Sequence, residues 1–397
     1  MKTEDLERES EKFIVATLIA VKDREEDILR SLDELENLVQ TAGGLTVLRV
    51  IQKRNAPDPK TYIGRGKAEE IGRVARELGA TALVVDTQLS PSQQKNLEQI
   101  TGLKVLDRTA IILDIFATRA RSLEGKLQVE LAQLTYLQSR LTGRGVELSR
   151  LGGGIGTRGP GETKLEVDRR RIKKRIQTLK NKLKEIEKHR QRLRTARKKG
   201  AFQVSLVGYT NAGKSTLLNA LTGAGVYASN QLFATLDPTV RRVDIKPQLL
   251  KLISEQSMSS GFEKLLGYDV VLSDTVGFIN NLPAELVAAF HSTLEEVSEA
   301  DLLLHIVNAA APDYALQLEV VENTLERIGA GAVPRILVFN KVDLLSSVEL
   351  ERLRNVYPGA AFISALKGIG LTELKEKIAA ALISQFNYLK EQQYRDL

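Results

Sequence analysis

Residues 201–221 of the chain read AFQVSLVGYTNAGKSTLLNAL. The pattern G-x-x-x-x-G-K-[ST] runs from Gly208 to Ser215, between a valine-rich apolar segment and a segment with apolar residues at helical spacing. A strand before this pattern and a helix after it are the context in which such a loop binds phosphates through its backbone N–H groups. Lys214 then neutralises the β- and γ-phosphate oxygens, and Ser215 ligates Mg²⁺. The stretch predicts a P-loop domain with a doubly wound sheet.

A carboxylate and a glycine follow the next apolar strand pattern. The segment YDVVLSDTVGF, residues 268–278, ends its strand at Asp274 and places Gly277 three residues later. The carboxylate can bind Mg²⁺ through water, and the N–H of Gly277 can contact the γ-phosphate. Phe278 comes next, where Ras-like enzymes carry the glutamine that orients the attacking water. A phenyl ring cannot orient water, so we expect slow intrinsic hydrolysis; packing of Phe278 beneath a switch segment is compatible with this.

Two segments nearer the C-terminus predict a guanine-specific base site. ILVFNKVD, residues 336–343, follows the pattern of a buried strand and ends at Asp343. In GTPases of this type the aspartate accepts hydrogen bonds from guanine N1 and N2, which adenine cannot donate, and such unpaired groups discriminate strongly. AAFISAL, residues 360–366, resembles the last base-binding loop at Ser364. Four segments in this order, each at a strand end, predict an enzyme that converts GTP to GDP and phosphate.

Composition excludes several other classes of protein. The 397 residues contain no cysteine, so disulfides and thiolate zinc sites are excluded. The charged N-terminus lacks the apolar region of a secretory signal, and no apolar run approaches the ~20 residues of a membrane span. The sequence therefore predicts a cytoplasmic protein, and we expect a monomer.

Positive charge is concentrated in one segment. Residues 162–200 contain 17 Lys and Arg against 5 Asp and Glu, a local net charge of +12, whereas the whole chain carries +7. Few carboxylates are available for pairing along a helix, which favours a nucleic-acid surface over an ordinary solvated helix face.

The order of patterns along the chain predicts four segments. Residues 1–115 alternate strands and helices, which is typical of a parallel α/β domain. Residues 116–200 predict a helical hairpin, because Leu123 begins a leucine stripe and Leu165 begins a heptad repeat. Residues 201–384 form the P-loop GTPase domain, and 385–397 a short tail. Within the first segment, YIGRGKAEEI is better interpreted as a turn before a helix than as a second phosphate loop.

Glycine and arginine alternate between the two arms of the hairpin. Eight of the nineteen residues 143–161 are glycine, interleaved with Arg144, Arg150 and Arg158. Glycine allows close approach of the backbone to a phosphate or base, and arginine supplies charge-assisted contacts. A flexible linker is the alternative, but linkers favour serine over arginine. We therefore predict RNA contact by these three arginines.

Two stretches resemble a known family. LFATLDPTVRRV, residues 232–243, resembles the first switch of the Obg-related, translation-factor-like GTPases, with Thr235 at the Mg²⁺-binding position. GGGIGTRGPGETKLEVDRRRI, residues 152–172, resembles the glycine-rich signature of the HflX family. The resemblance implies a cytoplasmic GTPase that binds the large (50S) ribosomal subunit and its rRNA and separates stalled or idle ribosomes.

Together, the patterns and the resemblance assign a set of site residues. The catalytic group is Lys214, Thr235 and Gly277. The metal group is Ser215, Thr235 and, through water, Asp274. The nucleotide-binding group is Gly208, Tyr209, Thr210, Asn211, Ala212, Gly213, Lys214, Ser215, Thr216, Phe233, Ala234, Thr235, Leu236, Asp237, Asp274, Thr275, Val276, Gly277, Asn340, Lys341, Val342, Asp343, Ser364, Ala365 and Leu366.

Several alternatives stay open at this stage. Asn211 lies where some potassium-stimulated GTPases, by resemblance, carry a cation-binding asparagine, so K⁺ is a possible second cofactor beside Mg²⁺. Residues 246–267 form an insertion, which we expect to be a β-hairpin extension. The rival functions are an RNA-binding anti-association or subunit-assembly factor that uses nucleotide only as a switch, and an ATP-driven RNA-remodelling enzyme.

Overall fold

The structure, a computed structural model, describes residues 11–141, 164–197, 201–223, 232–233, 239–255, 262–279 and 296–395. The chain divides into two compact units, and the division falls between Leu183 and Lys184, inside a long helix. Of the helices in these described ranges, none combines the length and apolar character needed to cross a bilayer.

The first unit contains a four-stranded sheet whose paired strands are all parallel, in the order β2-β1-β3-β4. This confirms the predicted parallel α/β layer. Its elements are β1 Lys12–Ala20, α1 Glu25–Thr41, β2 Leu45–Arg54, α2 Arg65–Leu78, β3 Ala82–Val85, α3 Pro91–Thr101, β4 Lys104–Asp107, α4 Arg108–Arg119 and α5 Leu123–Leu141. The long helix α6, Lys164–Arg197, belongs to this unit up to Leu183 and to the second unit from Lys184.

Local signals explain where these helices begin. The Ser90 side chain accepts a hydrogen bond from the N–H of Gln93, and the Gln93 side chain accepts one from the N–H of Ser90. Helix α3 therefore starts with a capping box. Helix α2 starts at Arg65, immediately after the turn closed by paired backbone bonds between Asp58 and Tyr62. The interpretation of YIGRGKAEEI as a turn before a helix is therefore confirmed.

Helix α6 has one apolar and one basic side, as the heptad pattern predicts. Ile176 and Leu179 are buried, whereas Lys173 and Lys180 are exposed. Arg175 Nε and Nη2 donate to the two carboxylate oxygens of Glu130 on α5 at 2.7 and 2.8 Å, which joins the two helices. Residues 143–161, with the three predicted RNA-binding arginines, lie outside the described residues.

The second unit contains a six-stranded sheet in the order β10-β9-β8-β5-β7-β6, parallel except for β6, which pairs antiparallel with β7. This is the predicted P-loop domain with helices and a parallel sheet. Its elements are β5 Ala201–Gly208, α7 Lys214–Thr222, β6 Thr239–Val243, α8 Lys246–Glu255, β7 Asp269–Asp274, β8 Leu302–Asn308, α9 Tyr314–Arg327, β9 Arg335–Asn340, α10 Ser347–Val356, β10 Ala361–Phe362 and α11 Leu371–Arg395, with 3₁₀ turns at Phe262–Gly267 and Val342–Leu344.

The insertion at 246–267 corrects one prediction. It consists of helix α8 and a 3₁₀ turn in its described parts, so the expected β-hairpin is wrong. Leu249 is buried in the core of the second unit, and Lys251 Nζ lies 2.8 Å from Glu376 Oε1 on α11. The apolar residues of KPQLLKLISE recur at helical spacing, which lets one helix face cover the core.

The last helix is longer than the sequence suggested. Helix α11 continues to Arg395, through most of the segment interpreted as a short tail. Its extension, QFNYLKEQQYR, contains no Gly or Pro, and Gln, Leu, Lys, Glu and Arg make up most of it, all of which favour helix. The domain bounds 1–115, 116–200 and 201–384 remain predictions.

Candidate guanine-nucleotide site

The P-loop begins at the carboxyl end of a central strand. β5 lies between β8 and β7 and ends at Gly208, where open parallel sheets place their ligands. Gly208 has φ 153°, and a Cβ there would lie 2.2 Å from the carbonyl oxygen of Ile306. Only glycine fits this position, because the neighbouring strand β8 approaches its backbone directly.

Lys214 lies inside the loop with its ammonium group against backbone carbonyls. Its Nζ donates to the carbonyl oxygens of Gly208 at 3.1 Å and Tyr209 at 2.9 Å. The residue is 7% exposed, and burial lowers the pKa of the Lys214 ammonium to about 8, although Asp274 opposes this shift. A buried, incompletely solvated cation at a loop of N–H groups is suited to binding polyphosphate.

Ser215 and Asp274 form an oxygen pair at the start of helix α7. The Ser215 hydroxyl donates to Asp274 Oδ2 at 2.6 Å, and Asp274 is fully buried at the end of β7. A hydroxyl and a carboxylate are the hard oxygen donors that Mg²⁺ prefers, so this pair fits the ion. Mg²⁺ bound here would neutralise charge on the β- and γ-phosphate oxygens. Thr235, the third predicted metal residue, lies outside the described residues.

Gly277 and Phe278 connect the end of β7 to the P-loop. The Phe278 N–H donates to the carbonyl oxygen of Gly208 at 3.1 Å, and the Thr210 N–H donates to that of Phe278 at 2.8 Å. The Phe278 ring is 2% exposed, so it packs in the protein as expected. The Gly277 backbone lies close to the lysine, since a Cβ added at Gly277 would be only 3.0 Å from Lys214 Nζ.

Asn340 links the P-loop to the loop after β10. Its Nδ2 donates to the carbonyl oxygen of Ala212 at 2.9 Å, and its Oδ1 accepts from the N–H of Ala365 at 3.0 Å. A Cβ at Gly213, which has φ 95°, would lie 2.2 Å from the Asn340 amide nitrogen. The asparagine therefore ties the P-loop to the loop after β10, which contains the predicted base-binding residues.

Asp343, the residue predicted to bind guanine, lies beside Ser364 and Lys367. The Asp343 side chain is 8% exposed, and Lys367 Nζ lies 3.4 Å from its Oδ2. The Ser364 hydroxyl is the main cause that holds the pKa of the Asp343 carboxyl below its usual value, and the Lys367 ammonium adds to it. An ionised carboxylate with two oxygens is the group that guanine N1 and N2 require. Sequence reasoning did not assign Lys367, since it belongs to none of the four segments.

The remaining predicted site residues differ in their surroundings. The Thr275 hydroxyl donates to the carbonyl oxygen of Leu206 at 2.7 Å, and Phe233 is buried. Asn211 is exposed with φ 60° in the P-loop, and Leu366 is exposed beside Ala365. The predicted residues outside the described part of the chain are Ala234, Thr235, Leu236, Asp237, Arg144, Arg150 and Arg158.

Comparison with known proteins places the chain in a family. Residues 29–117 match the model described as GTP-binding GTPase N-terminal, 119–197 match GTP-binding GTPase Middle Region, and 203–341 match 50S ribosome-binding GTPase. A protein named GTPase HflX from Caldanaerobacter subterraneus subsp. tengcongensis is 48% identical over 98% of this chain and 88% of its own length. The chain belongs to the HflX family of GTPases. The GTPase HflX of Escherichia coli is 44% identical, over 92% of this chain and 82% of its own length.

The HflX relationship makes the chain a ribosome-associated GTPase, and it confirms the family resemblance seen in residues 152–172 and 232–243. The sequence prediction of GTP hydrolysis is confirmed as well. Among solved structures, a GTP-binding protein from Sulfolobus solfataricus in complex with GDP is 24% identical, with a TM-score of 0.45 over 94% of this chain and 99% of that chain.

Proposed function

We propose that this GTPase docks on the large ribosomal subunit in its GTP state, separates stalled or idle ribosomes, and leaves after hydrolysis that the ribosome stimulates. The position of Phe278 supports the proposal that GTP hydrolysis depends on the ribosome. This residue follows Gly277, is buried and holds the P-loop through two backbone hydrogen bonds, so it cannot orient a water molecule. A group other than Phe278 must then organise the attacking water, and we propose that the ribosome supplies or positions it.

Within the nucleotide site, we propose the roles that the sequence motifs and the family resemblance imply. Lys214, Thr235 and Gly277 act on the γ-phosphate, and Mg²⁺ is bound by Ser215, Thr235 and, through water, Asp274. The short Ser215–Asp274 contact and the position of Gly277 near Lys214 support this assignment. Guanine is bound at Asp343. We place the protein in the cytoplasm and expect it to act as a monomer.

The proposed RNA contacts lie on helix α6 and the loop before it. The exposed lysines Lys173, Lys180 and Lys184 lie on the basic side of α6. Phosphate neutralisation by such residues gives affinity that falls steeply with salt. The loop can also stack on or hydrogen-bond to unpaired rRNA bases through Arg144, Arg150 and Arg158. Such contacts would fix where the protein binds on the subunit.

Co-sedimentation with isolated subunits and whole ribosomes tests this function. We expect binding to the 50S subunit with a non-hydrolysable GTP analogue, weak binding with GDP, and conversion of whole ribosomes to subunits with GTP. Binding that is independent of the nucleotide and leaves turnover unchanged would favour the anti-association factor. Splitting driven by ATP but not by GTP would favour the RNA-remodelling enzyme.

Replacing the three loop arginines with alanine separates RNA contact from nucleotide binding. The variant Arg144→Ala/Arg150→Ala/Arg158→Ala should lose subunit splitting and ribosome-stimulated hydrolysis together, while its GTP affinity stays within about twofold of the parent. The assay is 50S binding at ~150 mM salt, where contacts beyond ~8 Å are screened. The control Arg65→Ala/Arg352→Ala/Arg354→Ala removes the same charge at exposed positions outside the hairpin. A loop variant that splits ribosomes like the parent would show that 143–161 is only a linker.

Potassium should accelerate GTP hydrolysis more than sodium does. Asn211 is exposed in the P-loop, and its side-chain oxygen can contribute to binding a monovalent cation next to the phosphates. Such a cation supplies positive charge where negative charge develops in the transition state. Turnover in 200 mM KCl and 200 mM NaCl compares the two ions, and Asn211→Ala should remove the difference. Equal rates for the parent in both salts would exclude K⁺ as a cofactor.

A further inference from the structure

Lys367 lies within contact distance of the carboxylate proposed to bind guanine. Its Nζ is 3.4 Å from Asp343 Oδ2, and its side chain is 57% exposed, whereas that of Asp343 is 8% exposed. The lysine follows directly after the last base-binding segment, in which Ser364 is fully buried. An ammonium group thus lies beside an oxygen atom to which guanine would donate.

The backbone around Lys367 is fixed by several hydrogen bonds. The Lys367 N–H donates to the Ser364 hydroxyl at 3.2 Å, and the Ala365 N–H donates to Asn340 Oδ1 at 3.0 Å. Ser364 and Ile369 exchange two backbone hydrogen bonds of 3.1 Å each. These bonds hold the backbone of the loop, whereas the long, exposed side chain of Lys367 keeps the rotational freedom of a lysine.

The Asp343 carboxylate has the Ser364 hydroxyl as one donor partner, and the Lys367 ammonium is its cationic partner. A nearly buried carboxylate is poorly solvated, so an unpaired charge there is costly. Guanine N1 and N2 would donate to the Asp343 oxygens, and the Lys367 ammonium competes for one of them. Repulsion between the partial positive charges of these donors and the ammonium disfavours simultaneous binding.

We propose that Lys367 is the counter-ion of Asp343 in the nucleotide-free state and that guanine displaces it. The proposal rests on the proposed guanine site. Because guanine binding breaks the ion pair between Lys367 and Asp343, the net affinity for guanine nucleotides is lower and their release is faster. Lys367 is thereby a positioning residue for the nucleotide cycle of this chain.

The substitution Lys367→Met tests the displacement, because Met keeps the length and removes the charge. We expect about two- to fivefold tighter GDP binding and slower GDP release, the range expected for a partly exposed ion pair. Lys377→Met is the control, since Lys377 Nζ contacts the carbonyl oxygen of Gly359 at 3.3 Å and should leave GDP affinity unchanged. The gain should shrink at 500 mM salt, which screens exposed charges. Unchanged or weaker GDP binding by Lys367→Met overturns the proposal.

A double-mutant cycle separates this proposal from the base site itself. In the Asp343→Asn variant, probed with xanthosine diphosphate, Lys367→Met should change affinity by less than about 1.5-fold, since no ion pair remains. If Asp343→Asn still prefers guanine, the proposed base site is wrong. If it prefers xanthine but Lys367→Met binds GDP like the parent, only the counter-ion proposal is wrong.

Discussion

Replacing Lys214 with alanine should abolish tight GTP binding. The lysine is the buried cation of the P-loop, held by two carbonyl oxygens at 2.9 and 3.1 Å. Truncating one partner of a buried charged contact costs about 2–5 kcal/mol, which corresponds to a loss of about 30- to 4,000-fold in affinity. Titration with a fluorescent GTP analogue in Mg²⁺ measures this loss.

A surface lysine provides the control for this variant. Lys251→Ala removes an exposed ion pair with Glu376 in the same unit, and such pairs contribute about 0–1 kcal/mol. Its GTP affinity should therefore equal that of the parent. Thermal unfolding without nucleotide checks that Lys214→Ala is folded. Retained Mg²⁺-dependent turnover by Lys214→Ala would contradict the P-loop assignment.

We expect Asp343→Asn to change the nucleotide preference from guanine to xanthine. Guanine needs an acceptor at N1 and N2, whereas the C2 carbonyl of xanthine needs a donor, which the asparagine amide supplies. We expect GTP affinity to fall by about 100-fold or more and xanthosine triphosphate to become the preferred nucleotide, because a buried polar group left unpaired discriminates strongly. Competition between the two triphosphates measures the preference.

The matched control for the base site is Glu349→Gln. Glu349 lies in the first turn of helix α10, and its carboxylate accepts a hydrogen bond from the Ser346 N–H, so the change also removes one negative charge close in sequence. Its preference for guanine should persist. An unchanged preference in Asp343→Asn would show that the base binds elsewhere.

Motifs that combine a strand end with a particular residue type were the most informative part of the sequence. The strand before Gly208 and the helix after Ser215 were predicted by apolar patterns, and both are present. The sequence patterns predict no separate element at helix α4, because Ala110 through Leu113 form a short apolar run, and such a run alone does not distinguish a helix from a strand. Helix α8 was mistaken for a hairpin, although Leu249 and its apolar neighbours have helical spacing.

Contacts between distant segments could not be read from the sequence. Asn340 bonds to Ala212, 128 positions away, so its role in joining the two ends of the site depends on the fold. Lys367 approaches Asp343 because Ser364 and Asn340 fix the loop between them. These contacts follow from the parallel sheet, which brings the carboxyl ends of β5, β9 and β10 to one edge.

GTP turnover with and without isolated 50S subunits tests the central proposal most directly. With Phe278 buried and no glutamine at its position, we expect slow turnover by the protein alone. Saturating 50S subunits should raise the rate by about tenfold or more, and Lys214→Ala should show no turnover in either condition. Equal turnover with and without 50S subunits, for a parent protein that binds GTP, would contradict a GTPase whose hydrolysis is stimulated by the ribosome.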